Sequence, residues 1–164
     1  MQWDWQNRSL DLGVGELASF ALFSPGERAA GRWRAELGSR WHEILRERAS
    51  EEDPGWRFER PVEGMLQREG WSFHVRGRID QWHAGKAPPL LREVKTIRED
   101  LPGEEAELRA RYPAYFHQAQ LYAWILGPEE QGPEVEVLFL DIQSGITQAV
   151  RLGEEDRENL HRHL

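Results

Sequence analysis

The sequence predicts a single domain of the α/β class, with an α+β arrangement as the alternative, in which one mixed β-sheet is flanked by helices. A length of 164 residues suffices for one sizeable core but is short for two domains. Two segments have the apolar spacing of long helices, and five shorter ones have β-type residues bounded by turn signals. Charged residues make up 30% of the chain and are interspersed, as in folded proteins. We therefore expect residues 1–164 to form one domain.

The first predicted helix covers residues 25–49, and the Ser-Pro-Gly-Glu sequence at 24–27 is a plausible start for it. Apolar residues recur along it at helical spacing, so one face of the helix is apolar. These apolar positions are Ala29, Trp33, Leu37, Trp41, Ile44 and Leu45.

A β-hairpin is predicted for residues 56–82, with Gly70 supplying the turn between its two strands. In the second strand apolar and polar residues alternate from Trp71 to Asp80, so that one face is apolar and the other polar. A short third strand is predicted from Leu90 to Ile97.

The second half of the chain predicts another helix and two more strands. Residues 98–111 are acidic and show little apolar periodicity, so we expect a mobile connection that is partly helical. A proline suits the start of the following helix and a glycine suits its end. The predicted elements are a helix from Pro113 to Leu126, strands from Glu134 to Gln143 and from Ile146 to Leu152, and a short helix beginning near Gly153.

The chain contains no cysteine, which excludes disulfides, thiolate zinc sites and cysteine-held iron–sulfur clusters. Any metal must bind to oxygen and imidazole ligands. There is no signal-peptide pattern at the N-terminus and no uncharged apolar stretch of about 18 residues. We expect a cytoplasmic protein that does not engage a membrane.

The formal net charge of −8 argues against a protein that holds DNA by bulk electrostatic attraction. Arginines nevertheless cluster locally, and two interpretations stay open: they line a nucleic-acid groove, or they belong to a solvated polar face. The clustered arginines are Arg76, Arg78, Arg92, Arg98, Arg109 and Arg111.

Three residues on neighbouring predicted strands form the most informative pattern. Asp80 closes the second strand of the hairpin, and Glu93 and Lys95 leave the third strand on the same face because they are two residues apart. Carboxylates on adjacent strand ends suit Mg²⁺ or Mn²⁺, and the backbone carbonyl of Val94 is a further candidate ligand. The alternative is that Glu93 and Lys95 form an ordinary ion pair on a half-exposed strand.

Lysine is rare in this chain, which makes Lys95 notable. Only Lys86 and Lys95 are lysines among 21 basic residues, so arginine supplies positive charge almost everywhere else. An ammonium group, unlike a guanidinium group, is compact and has a tunable pKa. This difference favours a chemical role for Lys95, in positioning the attacking water or stabilising phosphate charge.

The second long helix adds two candidates, Gln118 and Tyr122, which lie one turn apart on its apolar face. A glutamine within an apolar stripe needs a hydrogen-bond partner, because an unpaired buried amide is costly. Either Gln118 makes a structural bond to the sheet, or it faces the carboxylates with Tyr122 and helps to hold the substrate or Lys95. On the first helix, His42 lies at the edge of the apolar stripe.

Taken in order, these segments resemble the motifs of RecB-like nucleases of the PD-(D/E)XK superfamily. The matching segments are G-S-R-W-H at Gly38–His42, G-R-I-D at Gly77–Asp80, E-V-K at Glu93–Lys95 and Q-A-Q-L-Y at Gln118–Tyr122. Each motif is weak alone, but four in this order on the expected elements are specific. The family includes nuclease domains of recombination helicases and the nuclease of CRISPR adaptation.

The resemblance implies a restriction-endonuclease-like fold and a metal-dependent hydrolysis of phosphodiester bonds. It implies that His42, Asp80 and Glu93 bind Mg²⁺ or Mn²⁺ with help from the Val94 carbonyl, that Lys95 is catalytic, and that Gln118 and Tyr122 support the site. Many relatives hold an iron–sulfur cluster with four cysteines. This chain, which has none, departs from them in that respect.

Three functions are therefore considered. The leading one is a DNA exonuclease acting on single strands or free ends, in repair, recombination or defence, and coupled to a helicase domain or subunit. The second is a catalytically weak or inactive DNA-binding or scaffold module of a helicase–nuclease assembly. The third is a soluble domain in which E-x-K and Q-x-x-x-Y are accidental.

Overall fold

The computed structural model describes residues 1–20, 32–127 and 132–156 of the chain. Seven strands form one mixed sheet, and helices cover it, so the predicted α/β class is confirmed. In chain order the elements are β1 (Gln2–Asp4), β2 (Ser9–Gly13), α1 (Val14–Phe20), α2 (Arg32–Glu52), β3 (Trp56–Arg68), β4 (Trp71–His83), β5 (Leu90–Ile97), α3 (Glu105–Arg111), α4 (Pro113–Leu126), β6 (Glu134–Asp141) and β7 (Thr147–Arg151).

The sheet has the strand order β1-β2-β4-β5-β6-β7, and β3 pairs with β4 as well. The β2–β4 and β5–β6 pairs are parallel, whereas the other neighbours are antiparallel. The β3–β4 pair is the long hairpin predicted from the sequence, and its turn residues Glu69 and Gly70 both have positive φ. Glycine adopts this conformation without the steric cost that a side chain brings.

Strand β4 has different partners at its two ends on the edge away from β3. Its residues 72–76 pair with β2, and its residues 81–83 pair with β5. Within the described part of the chain, residues 77–80 therefore have no strand beside them on that edge. The sheet is split at this point, between β2 and β5.

The two faces of the sheet carry separate cores, as the alternation along β6 shows. Val135, Val137 and Phe139 contribute to the larger core, under α1, α3 and α4. Leu138 and Leu140 point the other way, toward the core that includes Leu45 and Trp41 of α2. Because side chains alternate across a strand, α2 and α4 lie on opposite faces of the sheet.

Gly77 allows α4 to approach the sheet closely beside the split. A methyl group at this position would lie 2.6 Å from Cε1 of Tyr122 and 2.9 Å from Cγ2 of Val14. Real Cβ atoms do not come this close to their neighbours. The glycine therefore fixes where the Tyr122 ring lies relative to β4.

Five of the seven strands and both long helices were predicted. The first helix continues to Glu52, three residues past the predicted end, and its predicted start at 24–27 lies outside the described residues. The last predicted helix is described only as a helical turn at 154–156. No helix in the described ranges is long and apolar enough to span a membrane.

The sequence-based assignment was incomplete at the N-terminus. The elements β1, β2 and α1 were not predicted, and they complete the sheet and cover its larger core. In residues 98–111, the expected partial helix is α3. Leu108 of this helix is fully buried in the larger core, an anchor that the low apolar periodicity of the segment did not indicate.

We predict that Gly77→Ala destabilises the fold by about 1–3 kcal/mol, because the added methyl group forces Tyr122 or Val14 to move. Urea unfolding of the two proteins measures the loss. Gly132→Ala is the control, since no atom of the described residues lies within 4 Å of its new methyl group. Equal stability of Gly77→Ala and wild type would contradict the described packing of α4 on β4.

Candidate functional site

A cavity of about 460 Å³ opens at the split in the sheet. It is lined by residues from α2 on one face, from α4 on the other, and from the strands between them. All seven residues singled out from the sequence are among its lining residues, which are His42, Glu59, Arg78, Asp80, Glu93, Val94, Lys95, Thr96, Tyr115, Gln118 and Tyr122.

Asp80 lies where the pairing between β4 and β5 stops. Its Oδ2 atom accepts a hydrogen bond of 2.8 Å from the backbone N–H of Val94, so the carboxylate satisfies a strand donor across the split. Its Oδ1 atom lies 3.9 Å from Nδ1 of His42 on α2. Ile79 and Trp82 both contact the larger core, so the alternation of side chains along β4 breaks between them, at Asp80 and Gln81.

Glu93 and Lys95 leave β5 on the side that faces α4. The Nζ atom of Lys95 donates a hydrogen bond of 2.8 Å to Oε1 of Glu93. Glu93 is only 2% exposed, which excludes the alternative of a half-exposed surface pair. Its other oxygen, Oε2, is buried and has no hydrogen-bond partner among the described residues.

Gln118 joins this pair to α4. Its Oε1 atom accepts a 2.9 Å hydrogen bond from Lys95, and its Nε2 atom donates bonds of 2.9 Å to Glu93 and 3.3 Å to the Tyr122 hydroxyl. The ammonium group of Lys95 also lies 5.0 Å from the centre of the Tyr115 ring. The amide thus holds the lysine and the carboxylate in one network, as one interpretation of the sequence expected.

Burial shifts the pKa of the acidic groups in this cavity upward. Loss of solvation raises the pKa of Glu93 to about 7, although Lys95 acts in the opposite direction. Burial likewise raises the pKa of Asp80, against the Val94 N–H, His42 and Lys95. Burial and the nearby Glu93 carboxylate raise the pKa of Tyr122 to about 12, so its hydroxyl stays protonated. Because burial disfavours the ionised forms of Asp80 and Glu93, a positive charge beside them would stabilise their carboxylates.

The cavity has two further charged residues, Glu59 and Arg78. Arg78 was one of the clustered arginines considered for a nucleic-acid groove, whereas Glu59 was not predicted. Glu59 lies on β3 between Phe58 and Arg60, which pair with Gln81 and Ile79 of β4, and it has a φ of +52°, which is uncommon for a residue with a side chain. It forms ion pairs with Arg46 and Arg78. Nothing in the local sequence indicates the unusual φ of Glu59, whereas Arg78 lies within the G-R-I-D segment itself.

A divalent cation fits the donors of this cavity in part. The buried Oε2 atom of Glu93 accepts no hydrogen bond from any described residue. A buried carboxylate oxygen without a donor is a suitable ligand for a hard cation. Within the described ranges, however, no three His, Asp or Glu side chains are grouped closely enough to hold an ion as they stand. Asp80 and Glu93 would need the Val94 carbonyl, water or a reoriented His42 to complete a coordination shell.

The comparisons with known proteins bear on the fold. No family model and no curated protein matches this chain. A crystal structure of SSO0001 is similar, with a TM-score of 0.56 and 17% identity over 98% of this chain and 76% of that one. At this identity the similarity supports the fold alone.

A second solved structure is that of a phage-related exonuclease from Haemophilus somnus 129PT. It has a TM-score of 0.47 and 13% identity over 92% of this chain and 75% of the other, a likeness too distant to carry an argument about function. The seven-stranded mixed sheet with its flanking helices is consistent with the restriction-endonuclease-like fold that the sequence motifs implied.

We predict that Glu93→Gln removes part of the pH dependence of stability. A raised pKa means that the folded chain retains a proton that the unfolded chain releases at lower pH. The stabilisation is therefore complete below the unfolded value of about 4.5 and is lost as the pH rises through about 7. In metal-free buffer, the stability of Glu93→Gln relative to wild type should increase from pH 4.5 to pH 8.

Urea unfolding at the two pH values in EDTA measures this difference. Glu47→Gln, which removes an exposed carboxylate from α2, is the control for net charge. The same pH-dependent change in both variants would contradict the assignment to the buried Glu93 carboxyl group.

Proposed function

We propose that this chain is a divalent-metal-dependent nuclease that hydrolyses phosphodiester bonds in DNA. The observation that carries the proposal is the convergence of Asp80, Glu93 and Lys95 at the split in the sheet. A buried carboxylate, a partly buried one and one ammonium group meet in an open cavity there, and Oε2 of the buried Glu93 has no hydrogen-bond partner among the described residues. Such a group matches the needs of metal-assisted hydrolysis of a phosphate ester.

Asp80 and Glu93 are the proposed metal ligands, with the Val94 carbonyl and His42 as further donors. Oxygen-rich donors of this kind favour Mg²⁺ or Mn²⁺ over softer metals. When bound, such an ion activates water and stabilises the charge that develops on phosphate. The raised pKa values of both carboxyl groups agree with this role, because a bound cation would supply the charge that burial leaves uncompensated.

Lys95 is the proposed catalytic cation. Glu93 and Gln118 hold its Nζ atom between two oxygen acceptors, with the Tyr115 ring beside it. An ammonium group has three donors, so one remains for a phosphate oxygen or for the attacking water. Gln118 and Tyr122 support the site by fixing the position of Lys95 and Glu93.

We extend the proposal to exonucleolytic action on single strands or free ends, with a helicase domain or subunit as the source of the substrate. A net charge of −8 supports delivery by a partner, because the chain as a whole repels a polyanion. Action in DNA repair, recombination or defence follows from the same resemblance to RecB-like nucleases.

A second candidate function is a DNA-binding or scaffold module that does not cleave. One observation favours it: the ligand set is not assembled around a common point within the described residues. The unpaired oxygen of the buried Glu93 favours the nuclease, because a structural ion pair has no use for it.

We predict that Lys95→Ala lowers kcat for DNA cleavage by about a hundredfold or more, because the variant lacks the cation beside the reacting phosphate. The measurement is digestion of end-labelled single- and double-stranded DNA with Mg²⁺, Mn²⁺ or EDTA. The chain provides a matched control in Lys86→Ala, since Lys86 is the only other lysine and contacts Trp56 outside the cavity.

Asp80→Ala should be as inactive as Lys95→Ala, whereas Gln118→Ala should retain part of the activity because it supports the site without touching the reacting atoms. Cleavage that persists in Lys95→Ala, or that survives EDTA, would contradict the nuclease assignment to this cavity. DNA binding by wild type without any cleavage would favour the scaffold module.

A further inference from the structure

We infer that Arg78 binds a backbone phosphate of the nucleic-acid strand at the mouth of the cavity, and that Glu59 positions its guanidinium group. The inference rests on the proposed function and adds to it a contact outside the group formed by Asp80, Glu93 and Lys95. It identifies where the strand meets a chain whose overall charge is negative.

The cavity lining has more negative than positive side chains, so a phosphate that enters it needs an exposed cation to bind. Three carboxylates belong to the lining, those of Glu59, Asp80 and Glu93, while its lysines and arginines among the described residues are Lys95 and Arg78. The side chain of Lys95 is 17% exposed and is engaged by Glu93 and Gln118. That of Arg78 is 70% exposed, so an entering phosphate meets this guanidinium group first.

The single ion pair of Arg78 leaves its outer edge available. Its Nε atom lies 3.5 Å from Oε2 of Glu59, and no other described carboxylate is within ion-pair distance of the guanidinium group. Arginine presents five N–H donors in a planar fork, and the two terminal nitrogens match the spacing of phosphate oxygens. A carboxylate at the Nε side orients the fork without occupying those terminal nitrogens.

Glu59 is itself held in place from α2. Its Oε1 atom accepts a hydrogen bond from Nη2 of Arg46, while its Oε2 atom faces Arg78. The backbone of Glu59 has a φ of +52° within a strand, where a side chain at this angle is strained. Strain of this kind persists only when the surroundings enforce it, and it concentrates at functional sites. The ion pairs of the Glu59 carboxylate with Arg46 and Arg78 are such surroundings.

The position of Arg78 along β4 agrees with a contact to the strand being cut. Arg78 is two residues before Asp80 and lies in the stretch of β4 that has no strand on the split edge among the described residues. Its guanidinium group therefore borders the cavity beside the proposed metal ligands. A strand whose reacting phosphate lies at Asp80 and Lys95 would place a neighbouring phosphate near Arg78.

The test compares Arg78→Ala with Arg76→Ala. Arg76 lies on the same strand, its side chain is 67% exposed, and it pairs with a single carboxylate, that of Asp11. Both variants remove one positive charge, so the loss of general attraction is matched. Binding of a fluorescein-labelled single-stranded oligonucleotide is measured by anisotropy at several salt concentrations, and kcat and KM are measured with the same strand.

We expect the Kd of Arg78→Ala to rise roughly tenfold and the slope of log Kd against log salt to fall by about one, as for the loss of one phosphate contact. Arg76→Ala should change Kd by less than about twofold. The KM of Arg78→Ala should rise with its Kd and by a larger factor than kcat falls, because a contact to a non-reacting phosphate acts in the ground state as well as in the transition state. Arg78→Lys should recover the salt slope but only part of the affinity.

Glu59→Gln tests the positioning role through a double-mutant cycle with Arg78→Ala. The single variant should weaken binding about threefold, and it should have no further effect on Kd once Arg78 is absent. Additive effects of the two substitutions would show that Glu59 does not act through Arg78.

Equal losses of affinity in Arg78→Ala and Arg76→Ala, or no binding by the wild-type chain, would overturn the inference. Cleavage and binding together distinguish failure of the phosphate contact from failure of the nuclease assignment. Cleavage by wild type with equal effects at the two arginines refutes the phosphate contact and leaves the nuclease. Binding that depends on Arg78 without any cleavage supports the contact and refutes the nuclease.

Discussion

The hydrogen bond from the Val94 backbone to the Asp80 carboxylate is the interaction on which the candidate site depends. Strand β4 changes partner from β2 to β5 along one edge, and its pairing with β5 stops at Gln81 and Arg92. Beyond this point the backbone of β5, including the N–H of Val94, no longer pairs with β4. A buried backbone donor without a partner is costly. The Asp80 side chain supplies the acceptor, and in doing so it fixes a carboxylate at the point where the sheet opens.

The opening explains why helices on opposite faces contribute to one cavity. In a continuous sheet, α2 and α4 would be separated by the strands, and His42 could not share a cavity with Gln118. At the split, Asp80 approaches His42 on one side while Glu93 and Lys95 bond to Gln118 on the other. The close approach of Tyr122 over Gly77 holds α4 at this place. The gap thus allows residues from both faces of the sheet to line one cavity.

Buried charge in this cavity is only partly compensated. Glu93 has one oxygen bonded to Lys95 and Gln118, and its other oxygen has no partner in the part of the chain that the structure describes. Burial raises the pKa of Glu93 and of Asp80. Replacing a buried ion pair with well-packed apolar residues often leaves the stability of a protein unchanged or increases it. The presence of the Glu93–Lys95 pair in an open cavity therefore indicates a role in function, and a positive ion bound by Glu93 and Asp80 would explain it.

The sequence predicted the residues of the cavity better than it predicted the fold around them. Alternation along β4 and β5 and helical spacing on α4 are local patterns that left alternatives open, and the resemblance of the ordered motifs to RecB-like nucleases was needed to predict that Asp80, Glu93, Lys95, Gln118 and Tyr122 share one site. The N-terminal strands were missed because they are short and their burial depends on a distant partner, β4. Partial helix was expected in residues 98–111, but the burial of Leu108 there depends on tertiary contacts that no local pattern indicates. The strained φ of Glu59 and its two arginine partners depend on tertiary contacts, so no local pattern indicates them.

The most direct test of a metal site at Asp80 and Glu93 is a crystal structure of the chain soaked in Mn²⁺, with data collected to locate the ion from its anomalous scattering. An anomalous peak bonded to Asp80 and to the free oxygen of Glu93, with the Val94 carbonyl or His42 in its shell, is the predicted result. A peak only at other residues, with Glu93 still engaged solely by Lys95 and Gln118, would show that these carboxylates serve the fold and are not a metal site.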